Sequence, residues 1–399
     1  MQRPRAIIEA AVSRMTRRYK TAILRHTLLP LSETFISEQI RHLRGVDVVV
    51  LGIRFQNSDR FELPAGHVIN PEGGPGGLIR EIFYITTGHS ARLDTAIAEE
   101  KVDLLHAHFG VEGLYALPFA LRHGLPLITT FWGFDATMSR RELLLSGKPA
   151  WVRYALFADR LRRRGTLFIA VSEFLRRRLI QSGFPPDRTI VHYNGVDLTA
   201  FAPTQPESAD LTILSVGRLV EKKGIKYLIK AFALVAAQMP EVRLEIAGEG
   251  PLRRSLERLT AECGLAARVS FRGSLTHQAV ASLMQISSVV CQPSVTAADG
   301  DAEGLPTVVL EAAATARPLV ATRHSGIPEI IVDGQTGFLV AERDVEALAD
   351  RLLSLLGNVE LRKRMGEAGR KRIEEKFDLR KQAKRLEEIY GETISSFGR

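Results

Sequence analysis

Two glutamates, Glu303 and Glu311, close the run Glu303-Gly-Leu-Pro-Thr-Val-Val-Leu-Glu311, which follows Cys291-Gln-Pro-Ser294 and a polar loop. The pattern predicts a strand, a loop over the sheet edge and a helix beginning near Pro306. Proline suits a first helical turn because its missing N–H would be unpaired there anyway. The N–H groups of such a turn, with the helix dipole, favour a phosphate. Glu303 before the helix and Glu311 about one turn inside it could then hold hydroxyl groups on either side of a diphosphate. A plainer reading makes Glu303 a helix-start charge and Glu311 a surface residue. A second cluster, Ser215-Val-Gly217-Arg218-Leu-Val-Glu-Lys222-Lys223-Gly224, ends a strand-like run and opens a helical one. A planar guanidinium and a flexible ammonium there are suited to gripping a diphosphate. They would also neutralise a departing phosphate. A solvated basic turn remains open, and the GxxxxGK[ST] loop is absent.

The first half holds further polar groups at strand ends. In His106-Ala-His108-Phe-Gly110 the two histidines point the same way if the segment is a strand. Either could hydrogen-bond sugar hydroxyls or be a buried structural residue; His108 is preferred, lying nearer the strand end. Thr130-Phe-Trp132-Gly-Phe-Asp135 also ends a strand. Trp132 could stack on a sugar face or fill a wall, with one N–H to donate. Asp135 could bind an acceptor hydroxyl. Asp299-Gly-Asp301 spells a DxD, but the neighbouring lysine and arginine already supply positive charge, and metal-free chemistry is expected.

The elements that must position these residues alternate short apolar runs with amphipathic stretches. Strand-like runs are 21–24, 46–51, 102–106, 127–131, 167–171 and 189–192 in the first half. In the second they are 211–216, 242–247, 269–271, 288–292, 319–322 and 337–340. Helical patterns such as 224–239 and 252–263 lie between them. This alternation argues βαβ units, parallel sheets and an α/β fold. Residues 71–77, Pro-Glu-Gly-Gly-Pro-Gly-Gly, read as a loop. Residues 1–200 form the expected N-terminal Rossmann-like domain, 201–210 a linker, and 211–375 the C-terminal Rossmann-like domain. A C-terminal helix over 376–399 is expected to pack back on the first domain. Ligands bind beyond the carboxyl ends of such strands, so two domains facing a central cleft would place the active site there.

With 399 residues, two domains is the natural expectation. Two cysteines exclude a disulfide scaffold and a Cys/His metal cluster. No apolar run reaches the ~18 residues of a membrane span, and 1–20 lacks the apolar core of a secretory signal. A cytoplasmic location is expected. The net charge of +9 is uneven: residues 1–205 carry 27 Lys and Arg against 19 Asp and Glu. The densest stretch holds Arg160, Arg162, Arg163, Arg164, Arg176, Arg177 and Arg178. No nucleic-acid-binding motif or aromatic interleaving accompanies it, and nucleic acid is not an expected partner. An anionic membrane surface, a phosphate-bearing acceptor or a solvated helix face all fit. Ile7, Ile8, Ala11, Val12, Met15 and Tyr19 fall at helical spacing among Arg14, Arg17 and Arg18. They read as a helix lying on a membrane interface, peripheral to its inner face, or as one packed on the first domain.

The ordered motifs resemble glycosyltransferase family 4, whose enzymes have the GT-B architecture. The resemblance rests on Gly217-Arg218 with Lys223-Gly224, Ile246-Ala-Gly-Glu-Gly-Pro251, Val269-Ser-Phe-Arg-Gly273 and Glu303/Glu311. Gly326-Ile-Pro-Glu-Ile330, Gly334-Gln-Thr-Gly-Phe338 and Asn194-Gly-Val-Asp197 complete it. It spans nearly the whole chain. It implies a retaining hexosyltransferase that uses a nucleotide-diphosphate sugar as substrate, with no cofactor. It further implies that Arg218 and Lys223 bind the diphosphate, that Glu303 faces the transferred sugar, and that Glu311 binds the ribose. Gly217, Gly304, Leu305 and Pro306 would lie on the donor side beside phosphates and sugar, and the backbone around Leu275–His277 would flank the base. Leu31-Ser32-Glu33-Thr-Phe-Ile36 with Gln39 and Leu43 resembles the subgroup that builds colanic-acid-like exopolysaccharides. Ser32 and Glu33 would face the acceptor, a glycan or a polyprenyl-diphosphate-linked sugar; Ser32 is equally a helix N-cap. Relatives commonly carry histidine where Trp132 stands. A GT-B epimerase or phosphorylase, or a non-catalytic nucleotide-sugar-binding protein, would share the fold.

Overall fold

The computed structural model describes residues 18–28, 34–55, 66–68, 75–203 and 210–398. Ser32, Glu33, the amphipathic stretch before residue 18, residues 71–74 and most of the 201–210 linker lie outside them.

Two larger sheets carry the fold. The first orders its strands β5-β3-β1-β6-β7-β8-β9. These are β1 (Tyr19–Leu24), β3 (Val46–Gly52), β5 (Gly66–Val68), β6 (Leu104–His108), β7 (Leu127–Phe131), β8 (Leu167–Ala170) and β9 (Thr189–Val191). β1 pairs in parallel with β3 and β6, β3 with β5, and β6 with β7. β2 (Thr27–Leu28) and β4 (Arg54–Phe55) make a separate two-stranded pair. The second sheet orders β12-β11-β10-β13-β14-β15. Its strands are β10 (Thr212–Val216), β11 (Arg243–Ala247), β12 (Val269–Gly273), β13 (Val289–Gln292), β14 (Leu319–Thr322) and β15 (Phe338–Val340), all parallel. That order is doubly wound, with its switch point between β10 and β13.

The apolar runs become strands because both faces are covered. In the second sheet Ile213, Leu244, Ile246, Val289 and Val320 are buried against Leu228, Phe232 and Val235 of the helix Ile225–Gln238 and Leu352 and Leu355 of the helix Val345–Leu356. Buried positions 225, 228, 229, 232, 235 and 236 follow the helical period. The stretch Pro75-Gly-Gly, expected to be loop, is instead the first turn of the helix Pro75–Thr87. Proline at the opening position costs no hydrogen bond there, and the apolar and aromatic residues that follow carry the helix onward.

By compactness the chain falls into two units. One holds the chain to Thr130 with Gly147–Phe168 and Ala383–Arg399; the other holds Phe131–Ser146 and Ile169–Gln382. Within the first, the C-terminal helix Leu379–Ser396 lays Tyr390 against β6, its hydroxyl 2.6 Å from His106 Nδ1.

Candidate functional site

The exits of β10 and β13 flank the switch point of the second sheet. β10 ends at Val216, and Gly217-Arg218 leads into a short helical turn over Glu221–Lys223. Gly224 then turns with φ 66°, and a Cβ there would stand 1.9 Å from Pro293 O. Only glycine permits that approach, which presses the turn carrying Lys223 onto the exit of β13. The Lys223 stem runs past Gly217, where an added Cβ would meet Cε at 3.1 Å.

Lys223 Nζ lies 2.6 Å from Glu303 Oε1, with the two side chains 14% and 9% exposed. Ser294 Oγ donates to the same oxygen at 3.3 Å and receives a bond from Gln292 Nε2 at 2.8 Å. Burial alone would push the Glu303 carboxyl up, but the Lys223 and Lys222 ammoniums outweigh it and hold it at about 2. Lys222 pairs with Asp301 at 3.0 Å. Burial works against its charge, and the Glu303 and Asp301 carboxylates more than restore it. Arg218 is exposed beside this cluster. The second aspartate of the DxD thus serves a lysine, while Asp299 accepts the Asp301 N–H at 3.1 Å. Among the described residues no group of three His, Cys, Asp or Glu side chains is placed to hold a metal ion.

The Glu303 backbone is held as firmly as its side chain. Its N–H donates to His324 Nε2 at 3.1 Å, and His324 Nδ1 lies 2.6 Å from Glu342 Oε1. Since Nε2 accepts, the proton sits on Nδ1 and is donated to Glu342, fixing the tautomer. Ser325 Oγ donates to the carbonyls of Glu303 and Gly304. Glu342 also accepts the Thr296 N–H at 2.9 Å, tying down the loop ahead of Glu303. These residues were not legible as site residues. Their one signal was position, since His324-Ser-Gly326 follows the end of β14.

Pro306 is the N-cap of the helix Thr307–Ala314, with ψ 117°, and does not lie in its first turn as expected. The chain arrives extended from the Gly304-Leu305 turn, so helical ψ begins one residue later. Leu305 is buried. Glu311 is nearly buried one turn in, 3.2 Å from His277 Nε2, a contact between its carboxylate and the segment Leu275–His277. Leu275 itself is exposed.

Trp132 and Asp135 fall in the same compact unit as Glu303. A Cβ on Gly304 would stand 2.0 Å from the Trp132 carbonyl, so the exit of β7 abuts the Glu303-Gly304 turn backbone to backbone. The Trp132 side chain is half-buried. Asp135 is buried, and its Oδ1 accepts the N–H groups of Trp132 and Gly133 at 3.2 and 3.0 Å, so it builds this turn. His108 lies in the other unit, fully buried, with its ring 4.4 Å from that of His106, as the shared strand face requires. Burial, then the charges of His106 and Arg25, depress its basicity well below the ordinary imidazole range. His106 is engaged on both sides, by Tyr390 and by Thr130 Oγ1 at 2.7 Å.

Comparison with known proteins gives the family and the fold. Residues 199–372 match the model for glycosyl transferases group 1, and residues 32–200 that for Glycosyltransferase Family 4. The chain is 30% identical to the amylovoran biosynthesis glycosyltransferase AmsK of Erwinia amylovora, over 81% of this chain and 87% of that one. It is 36% identical to a protein of Salmonella typhimurium named for colanic acid biosynthesis, WcaL, over 63% of this chain but only 60% of the relative's length. The crystal structure of Anabaena HepE in complex with UDP-glucose superposes with a TM-score of 0.73 at 20% identity, covering 94% of this chain and 99% of that one. The two parallel-sheet α/β domains are those of the GT-B fold. On its motifs, its sheets and its full-length relative, the chain belongs to glycosyltransferase family 4.

Proposed function

We propose that the protein transfers a hexosyl group, with retention of configuration, from a nucleotide-diphosphate sugar to a hydroxyl of a glycan or polyprenyl-diphosphate-linked acceptor. The reaction serves surface polysaccharide synthesis in the cytoplasm, at the inner face of the membrane. The observation that carries this reading is the Lys223–Glu303 pair at 2.6 Å on the switch point of the second sheet. A cation and a carboxylate that here neutralise each other would become a diphosphate ligand and a sugar ligand when a donor arrives.

In this reading Arg218, Lys223 and the first turn of the helix Thr307–Ala314 stabilise the leaving diphosphate. The bond from the anomeric carbon to the phosphate oxygen breaks as the acceptor oxygen bonds to that carbon on the same face. The acceptor proton passes to the departing phosphate oxygen. Glu303 orients the sugar, and Glu311 holds the ribose with the segment Leu275–His277 beside the base. Trp132 contributes a wall or stacking face near the transferred sugar, and Ser32, Glu33, Asp135 and His108 serve the acceptor side. No resident metal or cofactor is needed, because Arg218 and Lys223 provide the counter-charge. The UDP-glucose bound in the HepE crystals supports a donor of this chemical class.

Thermal shifts with UDP, GDP, ADP and their sugars identify the donor. Transfer to lipid-linked acceptors, followed by NMR of the anomeric proton, then tests the reaction. An inverted product overturns retention. Complete loss of transfer in EDTA, restored by Mn²⁺ or Mg²⁺, overturns the metal-free reading.

A further inference from the structure

The helix Pro75–Thr87 is amphipathic in the reverse sense. Its inward side carries Glu81, in an ion pair with Arg54 at 2.6 Å, and Tyr84, stacked on Tyr115 with ring centroids 5.1 Å apart. Its outward side carries Leu78, Ile79, Ile82 and Phe83, at 52%, 68%, 53% and 54% exposure. Positions i, i+1, i+4 and i+5 form one continuous stripe on a helix. The neighbouring helix Pro149–Arg164 extends it with Leu156 and Phe157, both exposed. Arg153 joins the two helices: its guanidinium donates to the carbonyls of Thr86 and Thr87 and lies 5.8 Å from the Phe157 ring centre. Of the fourteen large apolar side chains exposed among the described residues, six stand on these two helices. Scattered exposed apolar residues need no explanation, but a contiguous patch marks an interaction surface.

The charge around the patch is predominantly positive. The helix Pro149–Arg164 carries five arginines and a single acid, Asp159, which is already paired with Arg162. Arg160, Arg163 and Arg164 follow Leu156 at helical spacing, and Arg160 also lies 4.9 Å from the Phe157 ring centre. Apolar side chains bordered by arginines match the interface of an anionic bilayer, where the former enter the acyl boundary and the latter meet phosphate. A second copy of the chain fits poorly, since it would bring like charges together. No described helix is long and apolar enough to cross a membrane, so the contact is with the membrane surface.

We propose that the outward face of the helices Pro75–Thr87 and Pro149–Arg164 is a docking surface for anionic phospholipid membranes. This locates the membrane contact implied by a lipid-linked acceptor, but its evidence is independent of sugar transfer. The test is co-sedimentation of the full chain with vesicles of phosphatidylcholine alone and with about one third phosphatidylglycerol, without donor or acceptor. The wild type binds the anionic vesicles at least about tenfold better than the neutral ones. Ile79→Ser/Ile82→Ser/Phe83→Ser lowers that binding about tenfold or more. Arg160→Gln/Arg163→Gln/Arg164→Gln removes the preference for anionic lipid, while Leu234→Ser, an exposed apolar change elsewhere, has no effect. Circular dichroism and melting verify that the variants fold. Should the triple serine variant not fold, Ile79→Cys carrying an environment-sensitive dye reports the contact by a blue shift on anionic vesicles. Failure of the wild type to bind overturns the proposal, as does wild-type binding by a folded serine variant, an unshifted dye, or a concentration-dependent dimer that this patch alone supports. None of these results bears on transfer, since the sedimentation contains neither donor nor acceptor.

Discussion

The strand ends of the two sheets hold buried polar groups in opposite ways. At the end of β6, His106 is bonded on both ring nitrogens, to Tyr390 and Thr130, and the polar contact fastens a helix to a sheet. At the exits of β10 and β13, Lys223 and Glu303 neutralise each other, and each retains bonding capacity toward a third party. The first arrangement is a closed structural network. The second is a pair of opposite charges whose backbones are pinned by Gly224, His324 and Ser325, which in the proposed reaction lets a donor replace one partner while the loop keeps its shape. Burial of polar groups is therefore no guide to function by itself; what counts is whether bonding capacity is used up or held in reserve.

The strongest break of this contrast is Glu303→Ala. It should lower kcat by about 10²- to 10³-fold, with nucleoside diphosphate affinity changed only a few-fold, as steady-state transfer and calorimetry would read. Near-wild-type turnover would place the chemistry elsewhere. Lys223→Ala comes next: a carboxylate left unpaired in a buried site costs about 3 kcal/mol or more in a denaturant melt, alongside weaker donor binding. Equal stability of the variant and the wild type would show that solvent reaches Glu303 freely.

Acid sharpens the same point. The Glu303 carboxyl titrates near 2 in the folded protein, against about 4.3 for an ordinary glutamate. Its folded-state pKa is depressed, so the pair stabilises fully above the ordinary range and is lost as pH falls towards 2. The Tm gap between wild type and Glu303→Gln should hold from neutral pH to about 5 and shrink below it. A gap independent of pH down to 3 would contradict the ion pair.

His324→Phe removes the acceptor of the Glu303 N–H and one of the two donors to Glu342 Oε1. A loss of about 1–3 kcal/mol is expected, with kcat falling more than donor affinity. On the other side of the contrast, Tyr390→Phe should cost about 1 kcal/mol of stability and leave kcat unchanged. A change in kcat with intact folding would give His106 and its tie to Tyr390 a part in the reaction.

Much of this was legible beforehand. The alternation of apolar runs located twelve strands of the two larger sheets to within a residue or two, because strands covered on both faces must be apolar throughout. The strand-end placement of Gly217, Arg218, Lys223 and Glu303 followed from the same alternation. The short strand β5 was missed, since three residues carry no period. The outward apolar stripe of Pro75–Thr87 was hidden behind the glycines of its opening turn. The roles of His324, Ser325 and Glu342 were illegible because His324 and Ser325 reach the Glu303 backbone only once β14 lies beside β13, and Glu342 reaches His324 only once β15 lies beside β14.

The sequence by itself determined the elements, the family and the identity of the charged groups, since these depend on local periodicity and on ordered motifs. Tertiary structure alone decided that Lys223 faces Glu303, that Lys222 takes Asp301, that Asp135 Oδ1 accepts the N–H groups of its own turn, and that His106 is fastened to the C-terminal helix. Such pairings are made between segments far apart in the chain. Partner choice there is set by which strands lie side by side and by how closely a glycine lets two backbones approach, neither of which leaves a trace in spacing.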